Sequence, residues 1–270
     1  MPRPMTAYER PIPIREQAPT SGHYHDIPFD ADDPRYAEGL VDARDHGLAG
    51  ENYYARTDGL NAPYREAMSG AVHALWCRQS IIAMLTAVNA RLAEHGAELY
   101  LWDAYRPVAC QQALWDFFWA RFRRSMPQAD DATLATRVRR YVSDPRRFHP
   151  DDPRTWPAHA TGAALDLTLR DKNTHALLDM GTHFDDMSAT SHSDHFERLL
   201  RHSRIAPDDH RLRNRRLLHW CMEEQGFINY SYEYWHFDFG DQMYVMMQNY
   251  LGRDAPRAAW YGYASAPSRS

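Results

Sequence analysis

Two short runs of this sequence hold side chains that could share one centre. His159 and Asp166 stand in His159-Ala160-Thr161-Gly162-Ala163-Ala164-Leu165-Asp166, and Glu233 and His236 in Glu233-Tyr234-Trp235-His236. Two imidazoles and one carboxylate are N/O donors that leave a fourth position of a tetrahedral metal open, the donor set of a catalytic zinc site. The second carboxylate is then free to serve as a base. Arg106, in Asp103-Ala104-Tyr105-Arg106-Pro107, adds a cation able to hold the negative charge that develops on a tetrahedral oxygen. Brought together in space, these groups would have the chemistry of a metallopeptidase.

The spacing constrains how they must be held. His159 and Asp166 are seven positions apart, an odd offset that a straight strand would place on opposite faces. His159 is therefore expected on the loop before the strand, with Gly162 turning the chain back. Glu233 and His236, three apart, can both reach one centre from a tight turn that leads into a strand. The His would bind metal, and the Glu would stop short of it and act on attacking water, the division of labour of helical H-E-x-x-H sites. Each residue alone also has a bland reading: His236 a satisfied buried imidazole, Trp235 and Phe237 core, Glu233 solvated, Arg106 an ion pair to Asp103. His192 and His195, beside Ser191 and Asp194, form a rival H-x2-H pair; His192 reads as a loop brace and His195 as the opening of the next helix. A nucleophilic serine reading lacks a G-x-S-x-G elbow, and no Gly-rich phosphate loop is present.

The elements that must position these groups follow from periodicity and punctuation. Ile81, Ile82, Leu85, Val88 and Leu92 recur at helical spacing and predict a helix over 79–95, stopped by Gly96. Alternation over 98–102 predicts a strand, and Pro107 suits the first turn of a helix through Leu114, Phe117, Phe118 and Phe122. Arg106 then sits at a strand-to-helix junction. Further expectations are a helix over 131–142, a strand over 163–170, a long loop over 171–195, a helix capped by Asp208-Asp209 and ending at Gly226, paired strands over 227–230 and 235–239, and a helix over 242–251. Residues 1–49 read as an irregular arm, with a short extended segment over 50–54. The fold class expected is α+β: a single domain over 50–255, with a small, mostly antiparallel sheet flanked by helices, then a polar tail over 256–270.

Composition narrows the field. The chain has 270 residues, 44% apolar and 25% charged, with 8 Trp and 16 Tyr, which suits one well-filled core. A net charge of -5 argues against generic nucleic-acid binding. No apolar run approaches the ~20 residues of a membrane helix. Met1-Pro2-Arg3-Pro4 lacks the apolar stretch of a secretory signal, so a cytoplasmic location is expected. Cys77, Cys110 and Cys221 are odd in number and contain no CxxC pair, so they read as buried small hydrophobes rather than a disulfide or a thiolate metal site. The arginines over 123–147 read as a solvated face with interspersed acids, rather than as a substrate or lipid-headgroup patch.

Taken together, four features resemble the VanX-type D-alanyl-D-alanine dipeptidases, zinc enzymes related to D,D-carboxypeptidases of the same Hedgehog/D,D-peptidase-like fold. They are Trp102-Asp103-Ala104-Tyr105-Arg106-Pro107; the run from His159 to Asp166 with Leu167-Thr168-Leu169 after it; Met180-Gly181-Thr182-His183-Phe184-Asp185 with the later Ser191-His192; and Glu233-Tyr234-Trp235-His236. The resemblance spans roughly residues 50–240, with the features in the family's order. It implies one zinc ion per chain held by His159, Asp166 and His236, with Glu233 as base and Arg106 as the transition-state arginine. Asp103, Tyr105, Asp185, Ser191, His192 and Trp235 become supporting positions. The partner implied is a small peptide such as D-Ala-D-Ala, and the sequence leaves the oligomeric state open. One departure stands out. The family's motif usually begins with a serine two residues before the first histidine, where this chain has Pro157, which offers neither a hydroxyl nor an N–H. That change bears on substrate choice rather than on metal binding. Alternatives are a D,D- or L,D-carboxypeptidase on longer muropeptides, and a non-catalytic zinc-bearing binding module, from which a lost base or arginine would be expected; Glu233 and Arg106 are both present.

Overall fold

A computed structural model of the chain describes residues 6–7, 9–254 and 256–267. The Met1-Pro4 run and the last three positions of the expected tail lie outside the described residues. In chain order the regular elements are β1 (Leu40–Asp42), β2 (Ala49–Gly50), β3 (Trp76–Arg78), α1 (Gln79–Ala93), β4 (Ala97–Asp103), α2 (Val108–Ser125), α3 (Asp131–Val138), β5 (Ala164–Asp171), α4 (His195–Arg201), α5 (His210–Glu223), β6 (Ile228–Asn229), β7 (His236–Asp238) and α6 (Gln242–Tyr250). The class is α+β, as the periodicity predicts.

The main sheet has five strands in the order β2-β4-β5-β7-β6. Only the short β2–β4 edge is parallel; β4, β5, β7 and β6 pair antiparallel. Strand β5 is central, and every residue from Ala164 to Leu169 is buried, because both faces of the sheet are covered. Helix α1 packs on β4 and on α5, turning inward the apolar stripe Ile81, Leu85, Val88 and Leu92. It ends where Gly96 takes a left-handed φ of 71°, a conformation glycine adopts without steric cost. Helix α2 buries Leu114, Trp115 and Phe118. Helix α5 is capped by Asp209, whose side chain accepts from the Arg211 N–H, as the Asp208-Asp209 pair suggests.

Some boundaries differ from the sequence reading. Helix α3 stops at Val138 rather than at Val142; the next residues form a turn that leads to Pro145, a residue that forbids helical continuation at Asp144. Pro107 precedes α2 instead of lying in its first turn. The three-residue strands β1 and β3, which make a separate antiparallel pair, and the two-residue strand β2 are too short to leave a periodic signal. The three cysteines are free and buried. Among the described residues, no helix is long and apolar enough to cross a membrane.

The N-terminal segment is tied to the body at several points. The Ile12 N–H donates to Glu197 Oε1 at 2.9 Å, and Glu197 also forms a buried two-pronged pair with Arg216 at 2.6 and 2.7 Å. Arg15 N–H donates to Asp194 Oδ2. The Arg10 guanidinium stacks 3.6 Å over the Trp220 ring. Tyr24, 1% exposed, donates its hydroxyl to the Trp156 carbonyl at 3.0 Å. These bonds draw residues 20–22 along the rim of the central cleft.

Candidate metal centre and active site

The register of the sheet assembles the site. Asp166 on β5 lies directly opposite His236 on β7 and opposite Asp103 on β4. His159 enters from the 3-10 turn Ala158–Thr161, which precedes β5 and ends at Gly162 with φ 70°. The left-handed φ at Gly162 strains any residue with a side chain, and an added Cβ would also have to displace the tip of Leu40. The loop placement of His159 follows the odd spacing argued above.

His159, Asp166 and His236 are all buried and offer ligand atoms within 4.8 Å of one another. Among the described residues they are the only group of three or more His, Cys, Asp or Glu so arranged; His192 and His195 belong to no such group. The imidazoles are held from behind. His159 Nδ1 faces the Ala104 carbonyl at 2.9 Å, an acceptor, so Nδ1 carries the hydrogen and Nε2 presents its lone pair. His236 is held the other way round: Nε2 meets Asp238 Oδ1 at 2.9 Å, and Nδ1 faces Asp166 Oδ1 at 3.0 Å. Two nitrogens, one carboxylate oxygen and outward hydrogen bonds that fix both rings fit a divalent transition metal.

The electrostatics agree. Burial by itself would raise the Asp166 carboxyl, but His159 and then His236 more than offset it and hold it below the ordinary carboxylate range. Burial lowers His236, and Asp238 and Asp166 outweigh it, so the ring sits well above its usual value. A bound cation would displace that proton from Nδ1. Behind the ring, burial and then Asp238 push the Asp241 carboxyl well above its usual range.

Glu233 lies beside the triad, its carboxylate 3.9 Å from His236 Nδ1 and about a third of its side chain (32%) open. Its carboxyl is pushed up to about 7, first by burial and then, against the opposing pull of His236, by Asp166 and Asp185. The turn from Glu233 to His236 is held by Asn229, whose Nδ2 donates to the carbonyls of both Glu233 and His236 at 3.0 Å. Trp235 is buried beneath it and lines the cleft.

Arg106 is buried, and four of its five N–H groups are engaged. Its Nε donates to Asp103 Oδ2 at 2.7 Å, Nη1 to Gln111 Oε1 at 2.9 Å, and Nη2 to both Tyr54 Oη and Asp166 Oδ2 at 3.2 Å. One guanidinium thus makes both the ion pair to Asp103 and the contact with Asp166 of the candidate metal group. Asp103 in turn accepts from Asn52 Nδ2 at 2.9 Å. Asp185 adopts a left-handed φ of 64° and accepts from Tyr64 Oη at 2.6 Å and Tyr54 Oη at 3.3 Å. Burial raises its carboxyl to about 6 in spite of the Tyr64 bond and Arg106.

The other expected supporting residues divide. Ser191 and His192 line the cleft; Ser191 receives the Tyr234 N–H at 2.9 Å, and the His192 ring packs 5.1 Å from Tyr232. Tyr105 is buried against Trp76 and is not among the residues lining the cleft. Pro157 lines it. Sequence reasoning overlooked Tyr54, Tyr64, Gln111, Asn229 and Asp238. Of these only Asp238 left a local signal: two residues after His236 on a strand, it shares that residue's face. Asp238→Ala is expected to lower metal affinity by about 10- to 100-fold, read by competition with a chromogenic chelator; unchanged affinity would show that the Asp238 bond does not tune the ring.

With this geometry in place, comparison with known proteins is direct. A family model described as D-ala-D-ala dipeptidase matches residues 37–253. A D-alanyl-D-alanine dipeptidase of Synechocystis is 32% identical over 192 residues, covering 68% of this chain and 77% of its own length. A protein of the same description from Enterococcus faecalis is 25% identical over 205 residues, covering 76% and 92%. One from Escherichia coli is 32% identical over 146 residues, covering 53% and 55%. All four sequence features that carried the resemblance fall inside the matched span, and the chain belongs to the D-ala-D-ala dipeptidase family.

Proposed function

We propose that this protein is a zinc-dependent dipeptidase that hydrolyses D-alanyl-D-alanine or a closely related dipeptide. The observation that carries the reading is the convergence of His159, Asp166 and His236 beside Glu233 and Arg106 in a family member. His159 Nε2, an Asp166 oxygen and His236 Nδ1 would hold the zinc, one ion per chain. Zinc bound there supplies Lewis acidity, acidifying water toward a pKa of about 7 and polarising a carbonyl.

The chain's own groups do the rest. Glu233 takes the proton from the attacking water and passes it to the leaving amine. Arg106, desolvated and fixed by four acceptors, faces the charge that grows on the carbonyl oxygen. Asp185, with Tyr54 and Tyr64 behind it, receives the substrate's ammonium. Ser191, His192 and Trp235 shape the cleft, and Asp103 and Tyr105 hold the segment that carries Arg106. In the same reading residues 50–255 are the peptidase domain, 1–49 an arm and 256–270 a tail, and the protein works in the cytoplasm.

The cleft encloses about 710 Å³, more room than a dipeptide of alanines needs, and this favours a second reading as a carboxypeptidase on longer muropeptides. A zinc-loaded assay on D-Ala-D-Ala, L-Ala-L-Ala and a stem pentapeptide ending in D-Ala-D-Ala separates the two. The dipeptidase reading expects D-Ala-D-Ala to be cleaved fastest, with activity abolished by chelation and restored by zinc. Faster release of D-Ala from the pentapeptide would overturn it in favour of the second.

A further inference from the structure

The buried inner end of the cleft holds Asp166 and Asp185 with Arg106 and the two imidazoles, and Glu233 lies beside them, so its charges are paired; the same cleft is also lined by the exposed Arg139 and Arg140. Gln111 shows how near these two sets of residues are. Its Oε1 accepts from Arg106 Nη1 at 2.9 Å and its Nε2 donates to the Ser143 carbonyl at 3.0 Å, so the turn after α3 lies one side chain away from Arg106. Arg139 is engaged by Asp144 Oδ2 at 2.8 Å. The Arg140 guanidinium has no ion pair or hydrogen bond among the described residues. The cleft is also walled by Thr20, Ser21 and Gly22, anchored where the Ser21 N–H donates to Tyr230 Oη at 3.0 Å. That wall lies outside the 37–253 span matched by the family model.

We propose that Arg140 is a specificity-determining residue of this chain, selecting dipeptides whose second residue carries an acidic side chain. The proposal rests on the dipeptidase reading, in which the substrate's ammonium lies at the Asp185 end. An extended dipeptide reaches only about 7 Å, so its main-chain carboxylate stays near the reacting centre, while a side chain on the second residue extends outward along the arm-built wall toward Arg140. A guanidinium matches a carboxylate with two parallel donors. At a solvated rim such a pair adds little affinity but discriminates the sign of the charge. The arginine-rich stretch after α3, which in the sequence reads as a solvated face, thereby contributes one residue to substrate choice.

The test measures binding of D-Ala-D-Glu and D-Ala-D-Lys to the full chain by calorimetry, with turnover of both followed in parallel. The wild type is expected to bind D-Ala-D-Glu about three- to fivefold more tightly than D-Ala-D-Lys at low ionic strength, with the preference flattened at about 0.5 M salt. Arg140→Glu should invert the order and Arg140→Gln should abolish it, with circular dichroism confirming that both variants fold. Equal affinities in the wild type, or an order that survives Arg140→Glu, would overturn the proposal. Charge-ordered binding with no hydrolysis of any dipeptide would instead remove the dipeptidase reading and leave the anion-selective rim standing. Hydrolysis without charge order would remove only the role of Arg140.

Discussion

Glu233→Ala is expected to keep its metal and to lose turnover of D-Ala-D-Ala by on the order of 10²-fold or more, because positioned general-base catalysis contributes that much. The metal stays because Glu233 is not one of the three clustered donors, and because the turn that presents His236 is held through main-chain carbonyls. Asn229 Nδ2 reaches the carbonyls of Glu233 and His236, and the Tyr234 N–H reaches the Ser191 carbonyl; none of these bonds uses the Glu233 side chain. Elemental analysis beside steady-state kinetics checks both halves. A variant that hydrolyses the dipeptide at the wild-type rate would show that the base lies elsewhere.

His236→Ala is expected to lose both metal and activity. Two donors then remain, and the fixed ring whose Nε2 is engaged by Asp238 is gone. A further cost falls on the metal-free fold. Asp238 is 0% exposed, and the His236 ring, 2.9 Å away, is the cationic partner that offsets its burial. Removing one partner of a buried charged pair costs about 3–5 kcal/mol, readable as a lowered urea midpoint in the apo protein. His192→Ala is the contrasting case: the ring lines the cleft but stands outside the metal group, so zinc stoichiometry should hold. Full zinc occupancy in His236→Ala, or its loss in His192→Ala, would reassign the ligand.

Much of the architecture is legible in the chain because the signals are local. The apolar stripe of α1, the Asp209 cap of α5 and the alternation of β4 depend on neighbours within a turn or a strand, and they emerge where periodicity places them. The fit is poorest where an element exists only through a distant partner. Strands β1 and β3 are three residues each and owe their conformation to each other across more than thirty positions. The early end of α3 reflects how residues 139–144 turn back to meet Gln111, a contact no periodicity announces.

The candidate site divides along the same line. Residue type and order, through the family resemblance that they carry, singled out His159, Asp166, His236, Glu233 and Arg106 as candidates, and local spacing restricts how each can point. Tertiary structure alone decided what surrounds them. Tyr54 and Asp185 are 131 positions apart, and Asp166 and His236 are 70 apart; sheet register and burial bring them together. The same packing buries Asp103 with Arg106, turns both imidazoles to their hydrogen-bond partners, and brings Thr20–Gly22 and Arg140 to one cleft. Side-chain chemistry is written at each position, but proximity between distant positions comes from burying one continuous core, and no single stretch of sequence encodes that.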